Sequence, residues 1–296
     1  MDASVVHYWA NDGLIWMQFL RRVARVPARI NILGEHTDRY GGLSLPFACQ
    51  YQLVLTATRR NEGFSGESGV VQLWKCAGGW PADLVVESDI PIGAGMSSSA
   101  ALCVAIVMCA QGKQELMQVC LEAQRIEHEV IGTQCGLLDQ IAITHSSKGK
   151  AIRIDFGKNE LQTITLPENW HFKLVDSRVR RKLSDSNYAQ EDVASVSFAS
   201  HVLDENNRVE EALNCDAIRL GEMINESHFS MRDRIKVSTP EIDQRVNELQ
   251  NTEGVLGARI MGGGFGGMIL TLVEHPSILD EDLIIASDSA SLEEFF

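Results

Sequence analysis

The sequence lacks the features that mark several classes of protein. Lys and Arg total 26 against 40 Asp and Glu, a net charge of -14, so no broad attraction to nucleic acid or to an anionic membrane is expected. The longest apolar run, 100–110, is shorter than the about 20 residues that span a bilayer. Residues 1–17 contain no basic stretch followed by an apolar run and a small-residue cleavage site, which disfavours a secretory signal. Together these absences predict a soluble, cytoplasmic protein.

The cysteines lack the spacing of a metal site. There are seven, and no two of them form a C-x-x-C pair, so a zinc site has little support. The odd number, with several cysteines inside apolar stretches, is typical of reduced thiols in a cytosolic protein.

Segments with strand and helix patterns alternate along the 296 residues, of which 45% are hydrophobic. This amount of apolar material is enough for one large domain or two ordinary ones. The interspersed patterns predict an α/β or α+β fold. No Pro, Gly or Ser-rich linker marks a boundary, and the seam is placed between 155 and 180, which divides the chain into domains 1–165 and 166–296. Strands are predicted within 28–38, 51–60, 83–91, 150–156, 172–179, 255–260 and 268–273, and helices after Ser97 and within 115–132, 188–225 and 239–252.

A glycine and serine-rich stretch, "PIGAGMSSSAAL", precedes the apolar helix predicted after Ser97. Glycines let the backbone approach a ligand, and a helix N-terminus attracts anions, so the stretch has the features of a phosphate site. It contains neither G-K-[ST] nor G-x-G-x-x-G, which excludes the common P-loop and dinucleotide fingerprints. The alternative is a serine that caps a core helix.

Charged residues are dense in "RINILGEHTD", which starts as an apolar strand. Arg29, Glu35, His36 and Asp38 lie within ten residues, and carboxylates with imidazole can bind several hydroxyls of a polyhydroxyl ligand. Alternatively, Asp38 caps a turn and Glu35 is solvated.

Two further stretches allow more than one interpretation. Glu127 lies on a predicted helix and Asp139 follows Gly136 and two leucines, so Asp139 is either a base or metal ligand, or the cap of the next helix. The run 262–267 holds five glycines around Phe265 and carries no titratable group. It is either a backbone cradle for phosphate or a tight turn between strands.

The order of these blocks is more specific than any one of them. "RINILGEHTDRYGGLSLP", "PIGAGMSSSAAL", "CGLLDQ" and "GARIMGGGFGG" follow one another as in the galactokinases of the GHMP small-molecule kinase superfamily, which the chain resembles over about 25–274. The linking segments "VDSRVRRKLSDSNY", "ENNRVEEAL" and "NESHFSMRDRIKVSTPEID" are similar to galactokinases as well.

The resemblance implies a GHMP kinase-like α+β fold. An N-terminal α/β domain with a left-handed crossover would be followed by a C-terminal ferredoxin-like α+β domain. ATP and a sugar would bind between the two domains.

The resemblance also implies roles for individual residues. The catalytic pair would be Asp139, which takes or orients the proton of the sugar O1 hydroxyl, and Arg29 beside it. The sugar would bind Glu35, His36, Asp38, Gly136 and Tyr188. The ATP phosphates would bind Gly93, Gly95, Ser97, Ser98 and Ser99, and Mg²⁺ would bind Ser99 and Glu127.

The implied reaction is ATP-dependent phosphorylation of the anomeric C1 hydroxyl of galactose to galactose 1-phosphate. Alternatives are a 1-kinase for N-acetylgalactosamine, arabinose or a uronic acid, or an inactive sensor of sugar and ATP. The chain departs from the family in length, with shortened regions at 60–89 and 188–261. Arg39 replaces a tyrosine directly after Asp38, and Leu138 replaces a methionine. These departures bear on which sugar is the acceptor and leave the residues implied for phosphoryl transfer unchanged. The oligomeric state is not predicted.

Overall fold

A computed structural model describes residues 19–296 apart from 92, 94 and 181–195, together with the backbone of two short strands, Ala10–Asn11 and Leu14–Ile15. These short strands are β1 and β2. The remaining strands are β3 (Arg21–Asn31), β4 (Leu43–Ser44), β5 (Pro46–Arg59), β6 (Phe64–Ser65), β7 (Ala82–Ser88), β8 (Lys150–Asp155), β9 (Glu160–Thr165), β10 (His171–Asp176), β11 (Val255–Ile260), β12 (Met268–Val273) and β13 (Ser291–Phe295). The α-helices are α1 (Ser68–Cys76), α2 (Ser98–Gln111), α3 (Leu116–Ile126), α4 (Leu138–His145), α5 (Val196–Ala212), α6 (Ala217–Asp233) and α7 (Pro240–Gln250).

The larger sheet has five strands in the order β13-β3-β5-β7-β6. Helix α2 packs against β3 and β5, and because most of its side chains are apolar and buried it is the buried helix that the sequence predicts. The final strand, β13, pairs antiparallel with β3 from Ser291 opposite Arg25. The end of the chain therefore lies in the sheet built by its first part, and the division at 165 and 166 stays a prediction.

The second sheet has three antiparallel strands in the order β10-β12-β11, with α6 and α7 packed against β11. Helix α7 begins as predicted: the Thr239 hydroxyl accepts from the Ile242 amide, and Pro240 occupies the first turn. A hairpin turn joins β11 to β12 across the predicted glycine run, and the Met261 amide donates to the Met268 carbonyl at 3.2 Å.

The predicted helix over 115–132 is confirmed, with one difference in its last turn. After α3 the backbone widens into a π-helical turn, Glu127–Ile131, and ends at Gly132 in the left-handed conformation (φ 80°). A third sheet has the strand order β4-β8-β9, and β1 and β2 pair as a separate two-stranded sheet. Among the described residues, no single helix combines the length and apolar composition needed to cross a membrane.

Candidate active site

Arg29, near the end of strand β3, joins two of the predicted blocks. Its Nε donates to Asp139 Oδ1 at 2.7 Å, and its Nη1 donates to the Gly95 carbonyl at 2.7 Å. Arg29 is 5% exposed, whereas the Asp139 side chain, in the first turn of α4, is 25% exposed. A buried guanidinium thus fixes an accessible carboxylate beside the loop that precedes α2.

This loop presents the N-terminus of a buried helix. Gly93 and Gly95 have φ of 71° and 70°, and Ser97, the residue before the helix, also has positive φ (64°). The first amides of α2 have no partner within the helix, and the hydroxyl of Ser97 is buried without a hydrogen-bond partner in the described part of the chain. Ser98 is exposed and Ser99 half-buried. The arrangement suits an anion with several oxygens.

The glycine-rich turn touches the same loop, backbone against backbone. A Cβ on Gly262 would lie 2.9 Å from the Gly95 carbonyl oxygen, and a Cβ on Gly95 would lie 3.2 Å from the Met261 carbonyl oxygen. The left-handed φ of 71° at Gly262 also favours glycine. The run 262–267 is therefore a tight turn between strands, and that turn contacts the loop before α2.

Ser99 and Glu127 form a second pair at the start of α2. Ser99 Oγ donates to Glu127 Oε1 at 2.7 Å, and Gln140 Nε2 donates to Glu127 Oε2 at 2.9 Å. Burial raises the pKa of Glu127 to about 7, and the negative charge of Asp139 adds to this, against the hydrogen bonds from Ser99, Cys135 and Gln140. A cation beside Glu127 would offset the free-energy cost of burying its negative charge.

Replacing Glu127 with Gln should change how stability depends on pH. The pKa of Glu127 rises from 4.5 to about 7 on folding. The stabilisation of the folded state by the proton on Glu127 is therefore fully present below pH 4.5 and is lost as pH rises through 7. Relative to Glu127→Gln, the wild type should lose about 2 to 3 kcal/mol in free energy of unfolding between pH 5 and pH 8. Urea denaturation without ligand measures this difference. The matched control is Glu129→Gln, which alters an exposed carboxylate in the same turn, and the wild type should show no such loss relative to this variant. An equal loss of the wild type relative to both variants would contradict the raised pKa of Glu127.

Glu35 is tied to the C-terminal half of the chain. Its Oε1 accepts from the Gly262 amide at 2.8 Å and from Arg259 Nη2 at 3.1 Å. Burial raises the pKa of Glu35, but the Arg259 and Arg29 guanidinium groups and the Gly262 amide outweigh it and lower the pKa to about 2. Glu35 is therefore ionised and fixed in place. Sequence reasoning missed Arg259, whose signal is a cation in the otherwise apolar strand "VLGARI".

Asp38 lies against the residues that precede Asp139. Its Oδ2 accepts from the Leu138 amide at 3.4 Å and its Oδ1 from the Arg39 amide at 3.0 Å. Burial, reinforced by the negative charge of Asp139, raises the pKa of Asp38 to about 6. The side chain of Arg39, which departs from the family pattern, is exposed.

The Asp38 carboxylate leaves no space for a side chain at position 136. A Cβ at position 136 would lie 1.9 Å from Asp38 Oδ2, closer than any real contact. Gly136→Ala is expected to push the Asp38 carboxylate aside. If Asp38 binds the sugar, as the family resemblance implies, the KM for that sugar should rise about 10-fold or more, the usual effect of losing a charged hydrogen bond. Steady-state kinetics measures the KM, with Gly69→Ala as the control, because no atom lies within 4 Å of a Cβ there and its backbone is not left-handed. An unchanged sugar KM in Gly136→Ala would contradict this placement.

One chain of contacts connects four of the predicted residues from three different blocks. Arg29 bonds Asp139 and Gly95, Gly95 contacts Gly262, and Gly262 bonds Glu35. His36, half-buried with φ of 59°, follows Glu35 directly. Tyr188 lies outside the described residues.

Comparison with known proteins identifies the family. The chain matches three family profiles: "GHMP kinases N terminal domain" at 68–147, "GHMP kinases C terminal" at 209–282 and "Galactokinase galactose-binding signature" at 18–59. It is 34% identical over 311 aligned positions to the galactokinase of Thermotoga maritima, covering 84% of this chain and 88% of that one. The chain belongs to the galactokinase family of GHMP kinases. It is therefore a sugar kinase, which transfers phosphate to a hydroxyl group.

Solved structures share the fold of this galactokinase-family chain. The crystal structure of Lactococcus lactis galactokinase complexed with galactose superimposes with a TM-score of 0.78 at 22% identity, over 92% of this chain and 95% of that one. The mevalonate kinase of Methanococcus jannaschii superimposes with a TM-score of 0.69 at 16% identity, over 92% and 96%. The GHMP kinase fold that the sequence resemblance implies is confirmed.

Proposed function

We propose that this sugar kinase transfers the γ-phosphoryl group of ATP to the C1 hydroxyl of galactose, giving galactose 1-phosphate. The observation that carries the proposal is the pair of hydrogen bonds from Arg29, one to the Asp139 carboxylate and one to the Gly95 carbonyl of the loop before α2. One side chain thus joins the carboxylate that would face the acceptor hydroxyl to the loop that would bind the donor phosphates.

Asp139 is proposed as the group that accepts or orients the proton of the O1 hydroxyl. Its side chain is partly accessible and is held in place by the hydrogen bond from Arg29 Nε, as the positioning of a general base requires. Arg29 would also balance negative charge that develops on the phosphoryl group. Catalysis in this reaction class rests mainly on positioning and electrostatic stabilisation.

The phosphates of ATP are proposed to bind the loop before α2. The left-handed glycines, the helix N-terminus and the buried hydroxyl of Ser97 are the features that support this. Gly93, Gly95, Ser97, Ser98 and Ser99 would form the contacts.

Mg²⁺ is proposed to accompany ATP at Ser99 and Glu127. The hydroxyl and carboxylate lie 2.7 Å apart, and the buried Glu127 charge would gain from a cation. Among the described residues, no group of three or more His, Cys, Asp or Glu side chains could hold a metal ion. Two oxygen donors fit Mg²⁺, which binds one or two protein oxygens together with substrate phosphates. The bound ion would supply positive charge to the phosphate oxygens.

Galactose is the proposed acceptor because the galactose-binding signature matches 18–59 and the Lactococcus lactis galactokinase was crystallised with galactose. Glu35, His36, Asp38, Gly136 and Tyr188 would bind it. The alternative acceptors of a 1-kinase are N-acetylgalactosamine, arabinose and a uronic acid, which the departure from the family pattern at Arg39 raises. The retained Asp139 and Arg29 argue against an inactive sensor.

A coupled assay of ADP release across a panel of aldoses tests the proposal, with Asp139→Ala as the inactive control. We expect the highest kcat/KM with galactose. Faster release with another sugar would overturn the acceptor assignment and leave the kinase assignment in place. Binding of sugar without ADP release for any aldose would favour the sensor.

A further inference from the structure

Helix α5 contains most of the segment "ENNRVEEAL" (205–213), which resembles galactokinases but has no role in the reaction described above. Three side chains of α5 contact the backbone of residues 34–43, the sugar block, which holds Glu35, His36 and Asp38. Glu205 Oε2 accepts from the Gly34 amide at 2.7 Å, and Asn206 Oδ1 accepts from the Leu43 amide at 2.7 Å. His201 Nε2 lies 3.0 Å from the Glu35 carbonyl oxygen.

The polar groups on α5 are themselves held rigidly. Glu205 is fully buried and bonds the guanidinium of Arg208, which helps to keep the pKa of Glu205 low in spite of burial. His201 is also fully buried, and burial lowers its pKa. Because a carbonyl only accepts, Nε2 of His201 carries the proton towards Glu35, while Nδ1 accepts from the Ser230 hydroxyl at 2.7 Å. The helix therefore presents one buried donor and two acceptors in fixed positions.

The segment between these contacts, 34–43, is folded tightly against α5. The hydroxyl of Thr37 lies within hydrogen-bond distance of both the Gly34 and Leu43 carbonyls, at 3.0 and 2.9 Å. A Cβ on Gly42 would lie 2.9 Å from Asn206 Oδ1. The proposed sugar ligands Glu35, His36 and Asp38 all lie between the two backbone amides that α5 holds.

We propose that α5 positions the sugar block, with Glu205 and Asn206 acting as positioning residues that set affinity for the sugar without touching it. This inference rests on the proposed function, because it takes Glu35, His36 and Asp38 as sugar ligands. It predicts a change in the affinity for the sugar and none in the affinity for ATP, because the contacts of α5 described above go to 34–43 and not to the loop before α2.

Asn206→Ala tests the inference in the full-length protein. Asn206 is half-buried, so its truncation leaves the core of the helix in place, but it deprives the Leu43 amide of its acceptor. We expect the galactose KM to rise about 10-fold, with the ATP KM unchanged within about 2-fold. Asn206→Asp keeps an acceptor oxygen and should restore most of the galactose affinity. The control is Asn207→Ala, an exposed neighbour on the same helix, which should behave as the wild type.

Amide hydrogen exchange without sugar provides a second readout. Peptides covering 34–44 should exchange faster in Asn206→Ala than in the wild type, while peptides of α2 should not. The inference is overturned if both KM values rise together, if Asn206→Asp fails to restore affinity, or if exchange over 34–44 is unchanged. Absence of turnover with any aldose in the wild type would instead refute the proposed function, while the hydrogen-exchange comparison would still test whether α5 positions 34–43.

Discussion

Asp139→Asn is expected to lower kcat for galactose phosphorylation about 1,000-fold. The amide has the shape of the carboxylate and can still accept from Arg29 Nε, which lies 2.7 Å from Asp139 Oδ1, but it cannot take the proton of the O1 hydroxyl. General bases contribute about 100-fold to 10,000-fold to rate. Losing the carboxylate charge beside Arg29 also changes the electrostatics of the phosphoryl group. The effect should therefore appear in kcat.

Single-turnover and steady-state kinetics of Asp139→Asn measure this loss, with calorimetric binding of ATP as evidence that the site is intact. The matched control is Asp83→Asn, which removes a half-exposed carboxylate, paired with Arg60, on strand β7 of the large sheet. It should leave kcat within about 2-fold, as most surface substitutions do. If Asp139→Asn turned over at a rate close to the wild type, Asp139 would not be the base.

Arg29→Lys is expected to lower kcat about 100-fold. The guanidinium makes two hydrogen bonds in different directions, to Asp139 Oδ1 and to the Gly95 carbonyl, both at 2.7 Å. A lysine ammonium keeps the charge but lacks the planar guanidinium with donors in fixed directions, so it cannot hold both groups in place. Misplacement of reacting groups by about 1 Å costs on the order of 100-fold in rate.

The rate loss in Arg29→Lys should be accompanied by a rise in the ATP KM, because Gly95 belongs to the loop proposed to bind the phosphates. Arg25→Lys is the control: this arginine lies on the same strand, and its side chain is half-exposed. A kcat of Arg29→Lys within about 3-fold of the wild type would show that the two hydrogen bonds of the Arg29 guanidinium are not needed for catalysis. Thermal unfolding of both variants separates a local effect from global destabilisation.

Signals confined to neighbouring residues could be read from the sequence. Thr239 and Pro240 start α7, and Gly132 ends the helical turn that follows α3, because caps and left-handed glycines act within one turn. Helix α2 was predictable as buried because it is apolar on all sides. The order of the four blocks identified the family and thus the fold.

Contacts between distant residues could not be predicted in the same way. No local pattern reveals that Arg259 pairs with Glu35, 224 positions away, or that β13 returns to pair with β3. Such pairings depend on how the whole chain packs. The π-helical turn at Glu127–Ile131 was also missed, because its side-chain pattern continues that of α3.

The position of the transferred phosphate is the most direct test of the proposed reaction. The enzyme would be incubated with ATP, Mg²⁺ and galactose, and the product examined by two-dimensional ¹H–³¹P correlation NMR. We predict a single sugar phosphate whose phosphorus couples to the anomeric proton, and no product from 1-deoxygalactose, which lacks the accepting hydroxyl. Coupling to the protons at C6, or phosphorylation of 1-deoxygalactose, would contradict transfer to C1.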